Sequence, residues 1–181
     1  MGDAPDFDAI TIDRLREIGG LKWSAYPGTI GAFVAEADYG VAPPIAAALH
    51  EAVDRGLFGY LPSGLGVQLA EATAAWQESA YGWSVPPERV HPLGDVVAGF
   101  RAALEFFSAP GSAVILPTPA YMPFLSVPAT MGRRTIEVPL LEDGDTSRLD
   151  LDGIERAFQS GGGLLILCNP YNPVEIGRAH V

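Results

Sequence analysis

The sequence predicts an α/β fold built on a mostly parallel sheet flanked by helices, and three observations predict it. Two short runs, AVILP (113–117) and LLILC (164–168), are apolar throughout, the pattern of strands buried on both faces. TIEVP (135–139) reads as a further strand, and the segments between these runs carry apolar residues at helical spacing. Strands alternating with helices imply parallel pairing through crossovers. Apolar residues make up 48% of the 181 and charged residues 18%, so the chain can fill one sizeable core and is not a disordered tail.

Residues 1–42 show little periodicity and read as an arm with short extended pieces. Pro43 and Pro44 suit a helix start, Ile45, Leu49 and Val53 form an apolar stripe, and Arg55-Gly56 is a stop. GLFGYLPSGLG (56–66) is a glycine-punctuated loop, after which Leu69, Ala72, Trp76 and Ala80 mark a second helix. RVHPL (89–93) reads as a short strand, followed by a helix carrying Val97, Phe100, Leu104 and Phe107. Pro110-Gly111 breaks the chain before AVILP. Between Pro119 and Gly132 a short helix is expected, shortened or kinked by Pro123 and Pro128. After TIEVP, Asp150 or Asp152 can cap a helix carrying Ile154, Ala157 and Phe158, and the glycines at 161–163 turn into LLILC.

Composition narrows function before any motif does. The net charge is −11, with 22 acids against 11 bases, which disfavours nucleic acid and anionic membrane surfaces. No apolar run approaches membrane-spanning length, and MGDAPDFDAI is no signal peptide. The one cysteine, Cys168, excludes an intrachain disulfide and fits a reducing cytoplasm; it reads as a small residue ending a buried strand. His50, His91 and His180 have no metal spacing, and LEDGDTSRLDLDG lacks the ligand order of a calcium loop, so no metal site is expected.

The site candidates are the loops that leave the buried strands, since ligands of parallel sheets sit beyond the strands' carboxyl ends. AVILP opens into TPAYMP, with Tyr121, and LLILC opens into NPYNP, with Asn169 and Asn172. An amide on so stiff a loop can donate to a fixed ligand oxygen, or it can cap local backbone; spacing leaves both open. Tyr121 is likewise either a site aromatic or a core one. In GDVVAGF a short turn opens a helix at Val96 and Val97, whose free N–H groups suit a phosphate. No Walker lysine and no G-x-G-x-x-G accompanies it, which argues against nucleotide triphosphates and NAD.

Taken in order, FVAEADYG, FGYLPSG, LGDVVAGFRAALEFF, PGSAVILPTPAYMPF and LLILCNPYNPV resemble the class I/II aminotransferase superfamily of fold-type I pyridoxal-phosphate enzymes. Within it they are most similar to the cystathionine β-lyase-like branch, the C–S lyases, from about Lys22 to Val174. The resemblance implies that Val96 and Val97 hold the phosphate of pyridoxal 5'-phosphate, Tyr121 stacks on its ring, and Asn172 donates to its phenolic oxygen. It implies that Tyr60 reaches the phosphate of a neighbouring subunit, hence a homodimer. Glu36 to Asp38 falls on the substrate side, facing cystathionine or another cysteine S-conjugate. AEADYG departs from the family's usual Met and Phe wording there, and Asp95 stands where many members carry glycine. The implied reaction is β-elimination to a thiol, pyruvate and ammonia; transamination in the same superfamily, or a non-catalytic dimerising remnant, are the alternatives.

The family's Schiff-base lysine, pyridine-nitrogen carboxylate and substrate-binding arginine all follow the NPxNP loop. Here Lys22 is the only lysine, against ten arginines. The expectation is therefore an N-terminal piece, inactive by itself, with an arm and small-domain segment over 1–42 and the first half of the cofactor-binding domain over 43–174. Residues 175–181, EIGRAHV, read as translated sequencing-adapter DNA and are left out of the fold.

Overall fold

The computed structural model describes residues 6–144 and 146–174, so the adapter-like tail lies outside the described residues. The chain divides into two compact units, Met1–Pro62 and Ser63–Val181.

The first unit is more helical than its sequence predicts. A 3-10 turn at Phe7–Ala9 is followed by helices α1 (Ile12–Ile18), α2 (Leu21–Ser24) and α3 (Pro43–Asp54). Local capping orders α1 where periodicity is too short to register. The Thr11 hydroxyl accepts from the Arg14 N–H at 3.2 Å, and Gly19 ends the helix at φ 76°. Helix α3 starts on Pro43 as expected. Its stripe is not core, however, because Ile45, Leu49 and Val53 are each more than half exposed. The pattern shows which face is apolar, and no described residue of the unit buries that face.

In the second unit α4 (Ser63–Tyr81) begins inside the expected loop. Its buried residues are Ala70 and Ala74, while Leu69 and Trp76 stay largely exposed, which corrects the expected face. RVHPL forms no strand. Val90 N–H closes a 3-10 turn onto the Pro87 carbonyl, and Pro92 has no N–H to give a ladder. Helix α5 (Val96–Phe106) then leads to strand β1 (Ala113–Thr118), helix α6 (Met122–Thr130) and strand β2 (Thr135–Pro139). A hairpin of β3 (Leu141–Asp143) and β4 (Thr146–Arg148) precedes α7 (Leu151–Gln159) and β5 (Gly162–Leu165). Asp150, not Asp152, caps α7, accepting from Gly153 N–H at 2.9 Å.

The central sheet is parallel, in the order β2-β1-β5. Side chains of β1 alternate between two layers, as strand geometry requires. Val114 and Leu116 pack with Leu104 of α5, Val127 of α6 and Ile166. Ile115 points the other way, onto Val138 of β2 and onto Ile154 and Ala157 of α7. β1 is buried almost throughout, whereas LLILC is only half-buried, with Ile166 alone fully inside. β5 differs because, among the described residues, it pairs with β1 alone and has an open apolar groove beside α5.

Two details fix the layers. The buried Arg133 guanidinium, between α6 and β2, donates to the carbonyls of Leu104, Ala109 and Ser112 and to the Ser112 hydroxyl. Gly162 lets β5 approach closely: a Cβ there would lie 2.5 Å from the Ile115 side chain and 2.9 Å from the Ala157 carbonyl oxygen. Gly162→Ala should therefore cost about 1–3 kcal/mol through overpacking, measured by urea unfolding. Arg133→Met should cost about 2–3 kcal/mol in the same assay, because it strands buried carbonyls without a donor.

Candidate functional site

The strand order reverses at β1. From β1 the chain crosses through α6 to β2 on one side, then returns through α7 to β5 on the other. The loops leaving β1 and β5 therefore diverge around a crevice at the carboxyl edge of the sheet, the place where open parallel sheets bind ligands. The first loop carries Tyr121 and the second Asn172. The sequence could not show that these strands are neighbours.

Tyr121 is the N-cap of α6, partly exposed, and its ring meets Phe124 edge-on at 5.5 Å. Phe124 in turn packs edge-on against Phe100 of α5 at 5.6 Å, so the aromatic is anchored from below. Asn172 is exposed on its loop. Between Asn169 and Asn172 stands a residue that sequence reasoning passed over. Tyr171 is only 2% exposed, and its hydroxyl donates to the Pro117 carbonyl at the end of β1. That bond latches the second loop onto the strand that launches the first. An aromatic between two prolines in an otherwise polar loop was the available signal. The Cys168 thiol donates to the Pro170 carbonyl at 3.3 Å within the same loop.

Val96 and Val97 occupy the first two positions of α5, Val96 with its side chain largely exposed. Helix α5 ends where β1 begins and packs back along the sheet, so its N-terminus arrives at the sheet's carboxyl edge. An apolar groove lies between α5 and β5, lined by Asp95, Val96, Phe100, Phe124, Leu164 and Leu167 among others. Asp95 is the N-cap, its carboxylate accepting from Ala98 N–H at 2.7 Å. The capping carboxylate takes the third N–H of the helix. The N–H groups of Val96 and Val97 point out of the first turn, as initial helix donors do. Backbone donors at a helix start fit an anion, and the Asp95 charge beside them moderates that fit.

The remaining candidates lie in the first unit. Tyr60 is fully exposed, in the loop before α4. Asp38 accepts from Lys22 Nζ through Oδ2 and from Trp23 Nε1 through Oδ1, both at 2.8 Å. These two donors, Lys22 foremost, hold the Asp38 carboxyl below its ordinary range. Glu36 is exposed and accepts from the Lys22 backbone N–H at 3.3 Å. The only lysine is therefore an ion-pair partner in this structure.

Residues 33–174 match the family described as aminotransferase class I and II. The chain belongs to this family. Among its relatives, a cystathionine beta-lyase of Corynebacterium glutamicum is 40% identical over 90% of this chain and 42% of its own length. The cystathionine beta-lyase PatB of Bacillus subtilis is 32% identical over 78% of this chain and 36% of that protein. Among solved structures, a PLP-dependent beta-cystathionase from Corynebacterium diphtheriae superposes with a TM-score of 0.83 at 36% identity, covering 93% of this chain and 43% of that one. The chain thus spans less than half the length of the relatives it matches. No helix among the described residues is long and apolar enough to cross a membrane.

The Tyr171 latch makes a pH prediction. Burial, and secondarily the nearby Cys168, push the Tyr171 phenol up to about 12. A group whose folded pKa is raised contributes stability that is complete below the unfolded value and lost as pH rises through the folded one. Stability should therefore fall between about 10, the ordinary tyrosine value, and 12. Tyr171→Phe should flatten that part of the profile, read by denaturant unfolding alongside phenolate absorbance.

Proposed function

We propose that this chain is the N-terminal part of a pyridoxal-phosphate-dependent C–S lyase of the cystathionine β-lyase type. The observation that carries the reading is the 40% identity to the Corynebacterium glutamicum cystathionine beta-lyase over 90% of the chain. It is supported by the helix start at Val96 and Val97 and by the strand-exit loops that carry Tyr121 and Asn172.

The residues fit the group in three places. Backbone N–H groups of Val96 and Val97 would hold the phosphate at a helix start. Tyr121, braced by Phe124, would lie against the ring, and Asn172 would donate to the phenolic oxygen from a loop held by Tyr171. Tyr60, wholly exposed, would reach a neighbouring subunit's phosphate in a homodimer, and Glu36 and Asp38 would border the amino-acid substrate. When bound, pyridoxal phosphate supplies the electron sink for a carbanion at the substrate Cα. The overall reaction consumes one water, breaks the Cα–H, Cβ–S and Cα–N bonds of a cysteine S-conjugate such as cystathionine, and releases thiol, pyruvate and ammonia. We place the protein in the cytoplasm.

The fit does not extend to a covalent tether. Lys22 Nζ is committed to Asp38 and to the Glu36 carbonyl, and it is the only lysine here. A lysine outside these residues would supply the tether and the α-proton base, so these 181 residues alone are expected to turn over no substrate.

The test is expression of the complete gene with added pyridoxal phosphate. Pyruvate release from cystathionine without a keto-acid acceptor supports the lyase. Amine transfer that depends on a keto acid would replace it with an aminotransferase, the activity named for the 31% identical N-succinyldiaminopimelate aminotransferase DapC of Mycobacterium tuberculosis. Neither activity, with no cofactor absorbance, would leave a dimerising module. Asn172→Ala in the complete enzyme should lower kcat/KM by roughly 10–100-fold, the usual scale for losing a hydrogen bond to a charged group.

A further inference from the structure

We propose that Lys22 and Trp23 are positioning residues that lock Asp38 into a closed clamp, leaving Glu36 as the carboxylate free to face a bound amino acid. The proposal rests on the reading that residues 36–38 border the substrate. It divides that segment into one structural carboxylate and one available carboxylate.

The geometry separates the two. Both Asp38 oxygens already hold strong donors, Lys22 Nζ on Oδ2 and Trp23 Nε1 on Oδ1, each at 2.8 Å. The pair is sheltered, with side-chain exposures of 14% for Lys22 and 27% for Asp38. A ligand ammonium would have to displace a donor that is itself charged. Lys22 binds the same segment twice more. Its ammonium donates to the Glu36 carbonyl at 3.0 Å, and its backbone N–H donates to Glu36 Oε2 at 3.3 Å. Glu36 Oε1 takes part in none of these bonds, and the residue is exposed.

The clamp is built into the local chain path. Four hydrogen bonds join residues 14 to 16 apart in sequence, so they close a loop and do not merely extend α2. At Gly31 that loop passes so close to α2 that a Cβ would sit 2.5 Å from the Lys22 carbonyl oxygen. Tyr26 and Phe33 meet edge-on at 5.1 Å across the same loop. Trp23 serves as ring and donor together, which neither Phe nor Leu could do.

The test compares Lys22→Met, Lys22→Arg, Asp38→Asn, Trp23→Phe and Glu36→Gln in the complete protein. One readout needs no activity: the indole N–H proton resonance of Trp23, assigned by its loss in Trp23→Phe. Lys22→Met and Asp38→Asn should both move that resonance toward the position of a solvated indole, Lys22→Arg should largely restore it, and Glu36→Gln should leave it in place. The second readout is the split between KM and kcat. Lys22→Met and Asp38→Asn should each raise KM roughly tenfold with kcat little changed, the scale of a charged hydrogen bond. The double variant should be no worse than either single one, since both break the same clamp. Glu36→Gln should raise KM by itself. An unmoved Trp23 resonance in Asp38→Asn overturns the clamp. A moved resonance with unchanged KM overturns its positioning role. Should Asp38→Asn fail to fold, Trp23→Phe keeps the ring, removes one donor and must still raise KM. If the resonances behave as expected but no lyase activity exists, the clamp stands and the functional reading fails.

Discussion

The architecture of the second unit depends on one buried cation. Among the described residues Arg133 has no carboxylate partner; its guanidinium is satisfied by three carbonyls and a hydroxyl gathered from the end of α5 and the turn before β1. Burying a charge is costly unless it is well hydrogen-bonded, and a cation among the last carbonyls of a helix gains from the helix dipole. Satisfying Arg133 therefore holds α5 by its C-terminus against the start of β1. An 11-residue helix is roughly 16 Å long, close to the span of the strand beneath it. Pinning one end delivers the other to the carboxyl edge of the sheet. The N–H groups of Val96 and Val97 owe their location to an arginine near the opposite end of the helix.

At that edge the chain assembles its crevice with few parts. β1 is central, and its Pro117 carbonyl is where the loop from β5 is tied by Tyr171. A single hydrogen bond thus sets the height of Asn172 relative to the loop that carries Tyr121. The aromatic chain Tyr121–Phe124–Phe100 runs from the same crevice into the core shared with α5. The start of α5, Tyr121 and Asn172 come from three elements that all pack around one strand. Preorganisation of this kind is what a site needs if the bound group is to be held without reorganising the protein.

The first unit follows a different logic. Its order comes from polar closure, not from a core: it has no buried residue on α1, α2 or α3, yet Lys22, Trp23, Glu36 and Asp38 are joined by four bonds. Such a hook can orient a short segment while leaving its apolar faces, including that of α3, for other protein to cover. The apolar stripe of α3 stays exposed, and the chain spans under half the length of the relatives it matches.

The sequence by itself determined the elements whose signals are local. Fully apolar AVILP, proline-started α3, an aspartate cap at Asp150 or Asp152 and the order of loop motifs are all legible because capping, φ restriction and burial pattern act within a few residues. It also placed Tyr121 and Asn172 on the loops that leave the buried strands, and Val96 and Val97 at a helix start, since element ends are local features. Only the tertiary structure decided which strands are neighbours. With that it decided that RVHPL has no ladder to join, that the strand expected over LLILC ends at Leu165 and is half-covered, and that Tyr171 and Arg133 tie the loops and α5 to β1. Those outcomes depend on contacts between residues far apart in the chain, where hydrogen-bond partners and covering surfaces are chosen by packing and leave no periodic trace in the sequence.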